Sequence, residues 1–233
     1  MKKILFYLAI CCFLPKLFAQ EEEVKNEPFF ETDSLYVEDQ FYIGATYNIM
    51  FNRPDNVSQR NLSNGIYAGF IKDLPVNKNR NKAIGIGLGY SVNTYFDEIK
   101  ITRQGDDVVY EVIDSEISIS KNKIITHIVE LPIEFRWRTS TPDKYQFWRI
   151  YPGFKLGYVF SDIYKFESGA ERLRFSNPDL NKLQYGVTIS VGYNTWNLNA
   201  YYGLNQMFDN ASLSDGTAIN TRDFKLGLMF YIL

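Results

Sequence analysis

Thiols, histidine and long apolar runs are all scarce in this chain, and each scarcity removes a class of function. Only two of the 233 residues are cysteine and only one is histidine. Both cysteines, Cys11 and Cys12, fall inside residues 1–19. If that segment is removed, neither a disulfide nor a cysteine-ligated metal site can form. His127 has no second imidazole to share a metal with. No serine or carboxylate lies beside it at a spacing that argues a nucleophile–base pair. No catalytic, metal-binding or cofactor-binding residue is therefore expected, and the chain does not read as an enzyme. Setting aside Lys2, Lys3 and Lys16 leaves 22 basic against 27 acidic residues, a net charge of −5. That balance offers no electrostatic footing for nucleic acid. After the first residues, no apolar run approaches the roughly 20 residues that a spanning helix needs.

The N-terminal segment reads as a secretory signal. Lys2 and Lys3 precede an apolar stretch over residues 4–14, and Leu17-Phe18-Ala19 supplies a small residue before a cut at Gln20. This order of charge, short apolar core and small residue predicts a cleavable signal peptide over 1–19. Leu8-Ala9-Ile10-Cys11 is only loosely like a lipid-attachment signal, because bulky Ile10 stands where a small residue belongs. Residues 20–39 carry eight acids and one lysine without periodicity, and are expected to form an acidic arm. Residues 40–233 are expected to form one domain.

That domain alternates with a period of two, the mark of strands with unlike faces. Phe41, Ile43, Ala45, Tyr47 and Ile49 interleave with Tyr42, Gly44, Thr46 and Asn48. The same pattern recurs over 65–72, 83–93, 127–138, 148–160, 183–193, 196–205 and 224–232, giving eight strands. Apolar side chains hold one face throughout, while Gly, Ser, Asn and Thr dominate the other. An all-β, eight-stranded antiparallel up-and-down transmembrane barrel is predicted, since an even count closes the sheet and leaves no edge in lipid. A soluble lipocalin-like barrel would alternate in the same way. It would point its bulky apolar face inward and dress the outside with Lys and Glu, which are few here. Trp137, Trp148 and Trp196 fall near one set of strand ends, as an interfacial aromatic belt requires. The connections over 52–64, 96–123, 162–182 and 206–221 are long and those between them short. Long loops outside and short turns inside place both termini in the periplasm, with outer-membrane lipid as the surrounding partner.

Eight strands enclose only enough room for their own side chains. Glu130, Glu134, Arg136, Arg149 and Lys155 are predicted to point inward as a charge cluster plugging the periplasmic half. Buried charges must pair to survive there. Within 96–123, Ile99, Ile101, Val108, Tyr110, Val112, Ile117 and Ile119 suggest that the third and fourth strands continue outward as a β-hairpin. Such a hairpin either offers apolar surface to a protein partner or folds over the barrel mouth.

The run over 130–160 is more specific than a barrel requires. Its marks are LPIEFRWR (131–138), the turn TSTPDKYQF (139–147) and WRIYPGFKLGY (148–158). With these, the chain resembles the PorT/SprT-like family of Bacteroidota outer-membrane barrels. The resemblance implies an accessory role in type IX protein secretion, and in gliding motility where the organism glides, through contacts with other secretion-system proteins. The acidic arm and the turn residues Asp143, Lys144 and Tyr145 are the candidate contacts. A structural or small-solute barrel with no secretion role is the alternative. One departure lies at the end, where Ile232 rather than Leu233 falls on the apolar face and the last residue is not aromatic. Purified in detergent, the protein should be β-rich by circular dichroism and should migrate differently on a gel before and after boiling. A helical spectrum contradicts the barrel.

Overall fold

The computed structural model describes residues 39–232 except 60, 106, 115, 116 and 140–146. Residues 1–19, read above as a signal segment, nearly all of the stretch over 20–39, and Asp143, Lys144 and Tyr145 lie outside the described residues. Among the described residues eleven strands occur: β1 (Gln40–Phe51), β2 (Asn64–Pro75), β3 (Lys82–Tyr95), β4 (Ile99–Gln104), β5 (Asp107–Val112), β6 (Lys121–Arg138), β7 (Trp148–Ser168), β8 (Glu171–Phe175), β9 (Leu183–Tyr193), β10 (Trp196–Gly203) and β11 (Arg222–Ile232).

Eight of them close a ring in the order β6-β3-β2-β1-β11-β10-β9-β7, sealed by pairing of β6 with β7. Every pairing in the ring is antiparallel. Sequential strands are neighbours, and β1 joins β11 with Phe41 opposite Ile232. Closure leaves no row of unpaired backbone groups in the ring, the condition for strands to cross a bilayer. The tightest connection between strands of the ring is the two-residue turn Asn194-Thr195, where Asn194 adopts φ +55°. Asparagine tolerates that left-handed conformation better than most residues.

The alternation read from the sequence is the alternation of burial. Along β1, Gln40, Tyr42, Gly44, Thr46 and Asn48 are buried, while Phe41, Ile43 and Tyr47 are exposed. The outer surface is thus a continuous apolar band that includes Phe41, Leu88, Leu131, Phe135, Val187 and Leu228. A soluble monomer rarely exposes apolar patches beyond a few hundred Å², so this band requires lipid. Aromatic residues edge it at both ends. Trp148 meets Tyr193 at 5.3 Å and Trp196 meets Phe230 at 4.7 Å at the short-turn end. At the long-loop end Tyr90, His127 and Phe160 cluster at 6.1 Å from one another, and Phe51 packs on Phe224 at 5.4 Å. Trp137 and His127 are ten positions apart on β6. At ~3.3 Å per residue and a tilt of ~40°, the belts stand roughly 25 Å apart along the axis, the height of a barrel's apolar band.

The long-loop end departs from expectation. The third and fourth strands do not continue together as a hairpin: β3 stops at Tyr95, and β4 and β5 form a separate two-stranded sheet. Asn122 holds the break by donating to the carbonyls of Asp97, at 3.0 Å, and of Ile99, at 2.9 Å. The strands that do extend are β6 and β7, with β8 added beside β7. Three of the hairpin's apolar residues are buried, and Val108, Val112 and Ile119 pack half-buried against them. Ile99, Ile101 and Tyr110 join Ile124, Ile128, Val159, Tyr164, Phe166, Phe208 and Leu213 in one cluster that caps the mouth, while Ile117 stays exposed.

Asp97 sits under this cap, 6% exposed, with its Oδ1 accepting from the Ile99 amide at 3.2 Å. Burial pushes its carboxyl up to about 7, against the pull of that amide and of Arg53. A raised carboxyl favours the protonated, folded form. The associated stability is present below pH ~4, falls as the pH rises, and is lost above about 7. Amide-exchange protection of β4 and β5, corrected for intrinsic rates, should fall at least tenfold between pH 4 and 8. In Asp97→Asn, which keeps the acceptor and removes the charge, it should stay flat. An unchanged slope in that variant would remove Asp97 as the cause.

Candidate functional site

The lumen is where the chain concentrates its buried charge, and the period of two puts it there. Along β6 every second residue from Arg138 back to Glu130 faces inward, and β7 answers with Arg149, Tyr151, Gly153 and Lys155. Glu130, Glu134, Arg136 and Arg149 are each at most 4% exposed, and the Lys155 side chain is 12% exposed. They do not form one cluster in one half of the barrel. They belong to groups at different heights, joined by residues on other strands.

The group nearest the short turns centres on Asp73 of β2. Its Oδ1 takes Arg136 Nη1 at 2.9 Å and Arg138 Nη1 at 3.0 Å, and its Oδ2 takes Arg138 Nη2 at 2.8 Å. Arg136 also reaches Gln40 Oε1 at 2.7 Å and Glu134 at 3.3 Å, and its guanidinium lies 4.7 Å over the Tyr151 ring. Arg149 instead stacks at 4.5 Å over Phe147 and at 5.4 Å over Tyr231. At mid-height Glu130 accepts from Ser91 at 2.8 Å and pairs with Lys155 at 2.9 Å. Nearer the long-loop end Asp223 pairs with Lys225 at 3.1 Å and accepts from Tyr95 at 2.7 Å.

Tyrosines fill the space between these levels. The Tyr42 ring lies against Gly69 and Gly89, Tyr67 against Gly44, and Tyr201 against Gly186, each so close that a Cβ on the glycine would collide with the ring or its hydroxyl. The lumen is therefore packed as a protein core is packed, with ion pairs embedded in it. Asp73 and Arg138 are the partners that sequence reasoning left out of the cluster. Asp73 continues the inward register of Tyr67, Gly69 and Ile71; extending the second strand one residue past Lys72 would have found it.

Trp137, Trp148 and Trp196 lie on the outer surface at the short-turn end, 37%, 57% and 62% exposed. His127 is on the outer face as well. Its Nδ1 sits 2.6 Å from the Tyr90 hydroxyl in a stacked arrangement, a contact of the belt and not of the lumen. Among the described residues no group of three or more His, Cys, Asp or Glu is arranged to hold a metal.

The closed ring, apolar outer band and filled lumen define a membrane-spanning eight-stranded β-barrel. Residues 18–209 match the model of the outer membrane protein beta-barrel domain family, and the chain belongs to that family. No curated protein matches the chain.

The Asp73 group yields a stability prediction. Removing one member of a buried pair leaves an uncompensated charge and costs about 3–5 kcal/mol. Asp73→Ala strands part of two guanidiniums, and its urea-unfolding midpoint in detergent should drop accordingly. Adding Arg138→Met should recover part of the loss, because Arg136 keeps Glu134 and Gln40. A double variant no more stable than Asp73→Ala would show that the pairing is not what holds this end.

Proposed function

We propose that the chain is a non-enzymatic accessory component of type IX secretion, acting through protein contacts at the ends of the barrel, with both termini in the periplasm. The observation that carries this reading is the coincidence of the family-like run with the lumen plug. The run over 130–160 supplies β6 from Glu130 onward, β7 as far as Phe160 and the connection between them, and its inward residues Glu130, Glu134, Arg136, Arg138, Arg149 and Lys155 make most of the buried ion pairs and cation stacks. A lumen closed by paired ions and tyrosines is a poor conduit, so a transport-related role falls to the end surfaces. The acidic arm over 20–39 and the turn residues Asp143, Lys144 and Tyr145 are the proposed contacts. They would engage other secretion-system proteins without chemistry of their own.

A clean deletion tests the role. Secreted cargo should accumulate inside the cell, and gliding should be lost where the organism glides. The intact gene should restore both, while an allele with Asp143 and Lys144 replaced should not. Normal export in the deletion strain, together with conductance of the purified protein in planar bilayers, would assign it instead to structural or small-solute barrels.

A further inference from the structure

Above the His127–Phe160 belt, β6 and β7 leave the ring together. A bulge marks the exit: His127 pairs with Ser161 but Ile128 with Val159, so β7 carries one extra residue there. At this level β9 ends its pairing at Tyr158, and β8 takes over the free side of β7. The inner face of the resulting three-stranded sheet packs into the cap through Ile124, Tyr164 and Phe166. Its outer face continues the lipid-facing face of the barrel, because His127, Ile125, Lys123 and Lys121 follow at every second position of β6.

That outer face is cationic. Pairing places Lys123 beside Lys165 and Lys165 beside Arg174, and in the next row Lys121 beside Glu167 and Glu167 beside Arg172. These six residues line one open groove of about 300 Å³. Five cations thus surround one carboxylate, and Lys121 already engages it at 2.9 Å. Lys121 hydrogen bonding, with Arg172 and Lys165 nearby, holds the Glu167 carboxyl below its ordinary range. In the lower row, Lys123 has only the Phe96 ring at 5.6 Å among the described residues. Lys123 lies four positions past His127, about 10 Å further along the axis at ~3.3 Å per residue and ~40° tilt. The headgroup layer adds roughly 5–8 Å to each side of the hydrocarbon, and long basic side chains reach back into it.

We propose that this groove binds the phosphates of a membrane-lipid headgroup in the leaflet at the long-loop end. Clustered Lys and Arg recognise phosphate through charge-assisted hydrogen bonds. The position of the groove, on the lipid-facing side at headgroup height, selects a membrane lipid over a soluble anion. The inference rests on the spanning barrel and not on the secretion role, so each can fail alone.

The test is native mass spectrometry of the full-length protein in detergent with lipid A, in bisphosphorylated and dephosphorylated forms. The wild type should retain the bisphosphorylated form at least tenfold over the other. Lys123→Gln/Lys165→Gln/Arg174→Gln should bring the two to parity, and Lys72→Gln/Lys78→Gln/Lys82→Gln at the opposite end should keep the wild-type preference. If the first triple variant fails the boiling-shift gel, Arg174→Gln alone, on the exposed strand β8, should still lower the preference several-fold. Equal retention of both lipids by the wild type, an undiminished preference in the folded groove variants, or binding of inorganic phosphate with no lipid preference would overturn the proposal.

Discussion

Backbone amides and carbonyls inside a bilayer have no water to bond, so a sheet that crosses it must close on itself. In this chain closure is achieved with eight strands, and that number sets the terms for everything inside the ring. A ring this small has no free bore, so each inward side chain must share space with its neighbours. Tyr42, Tyr67 and Tyr201 fit because glycines stand where their rings lie. The small, polar inner face is therefore a steric consequence of closure. It reads in the sequence like the lining of a channel, but its glycines are spaces already taken by tyrosine.

The same narrowness governs the charges. An ion in a packed lumen loses much of its hydration, and the attraction of its partner offsets this only when geometry is good and remaining donors are satisfied. Asp73 meets these terms by receiving two guanidiniums, one of them through both of its oxygens. The pairs join distant parts of the chain, since Asp73 of β2 meets Arg136 and Arg138 of β6 across β3. A slip of one residue would turn these charges outward into lipid, so the ion pairs also penalise wrong registers. Arg149 follows another route, with its cation resting on aromatic faces.

How much of this was legible in the sequence depends on how local the signal is. The alternation of strands such as β1 and β9 is a property of consecutive residues, and the facing of their side chains follows directly. The inward set Glu130, Glu134, Arg136, Arg149 and Lys155 was equally accessible. The inward facing of Asp73 was one residue past the strand end read at Lys72, but its pairing with Arg136 and Arg138, 63 and 65 positions away, leaves no periodic trace. The extension of β6 to Lys121 and β7 to Ser168 was hidden because polar residues above the membrane mask the alternation. Asp97 was hidden for a related reason: a charged residue in a loop looks solvated until the loop folds back over it.

The two ends of the barrel are closed by different physics, and this has consequences for what each can do. The short-turn end is held by ion pairs and stacked arginines, interactions that are directional and lose their value if a partner moves away. The long-loop end is covered by an apolar cluster drawn from β4, β5, β6, β7 and the later loops, an interaction that is non-directional and tolerates repacking. Charge at the long-loop end is pushed to the outside of the sheet, because its inside is occupied by Ile124, Tyr164 and Phe166. The alternation that puts lipid-facing side chains outward within the membrane puts Lys123 and Lys165 outward above it. One period of two thus sorts apolar contact with lipid tails and basic charge at headgroup height onto the same face, changing only the residue type as the strand leaves the hydrocarbon.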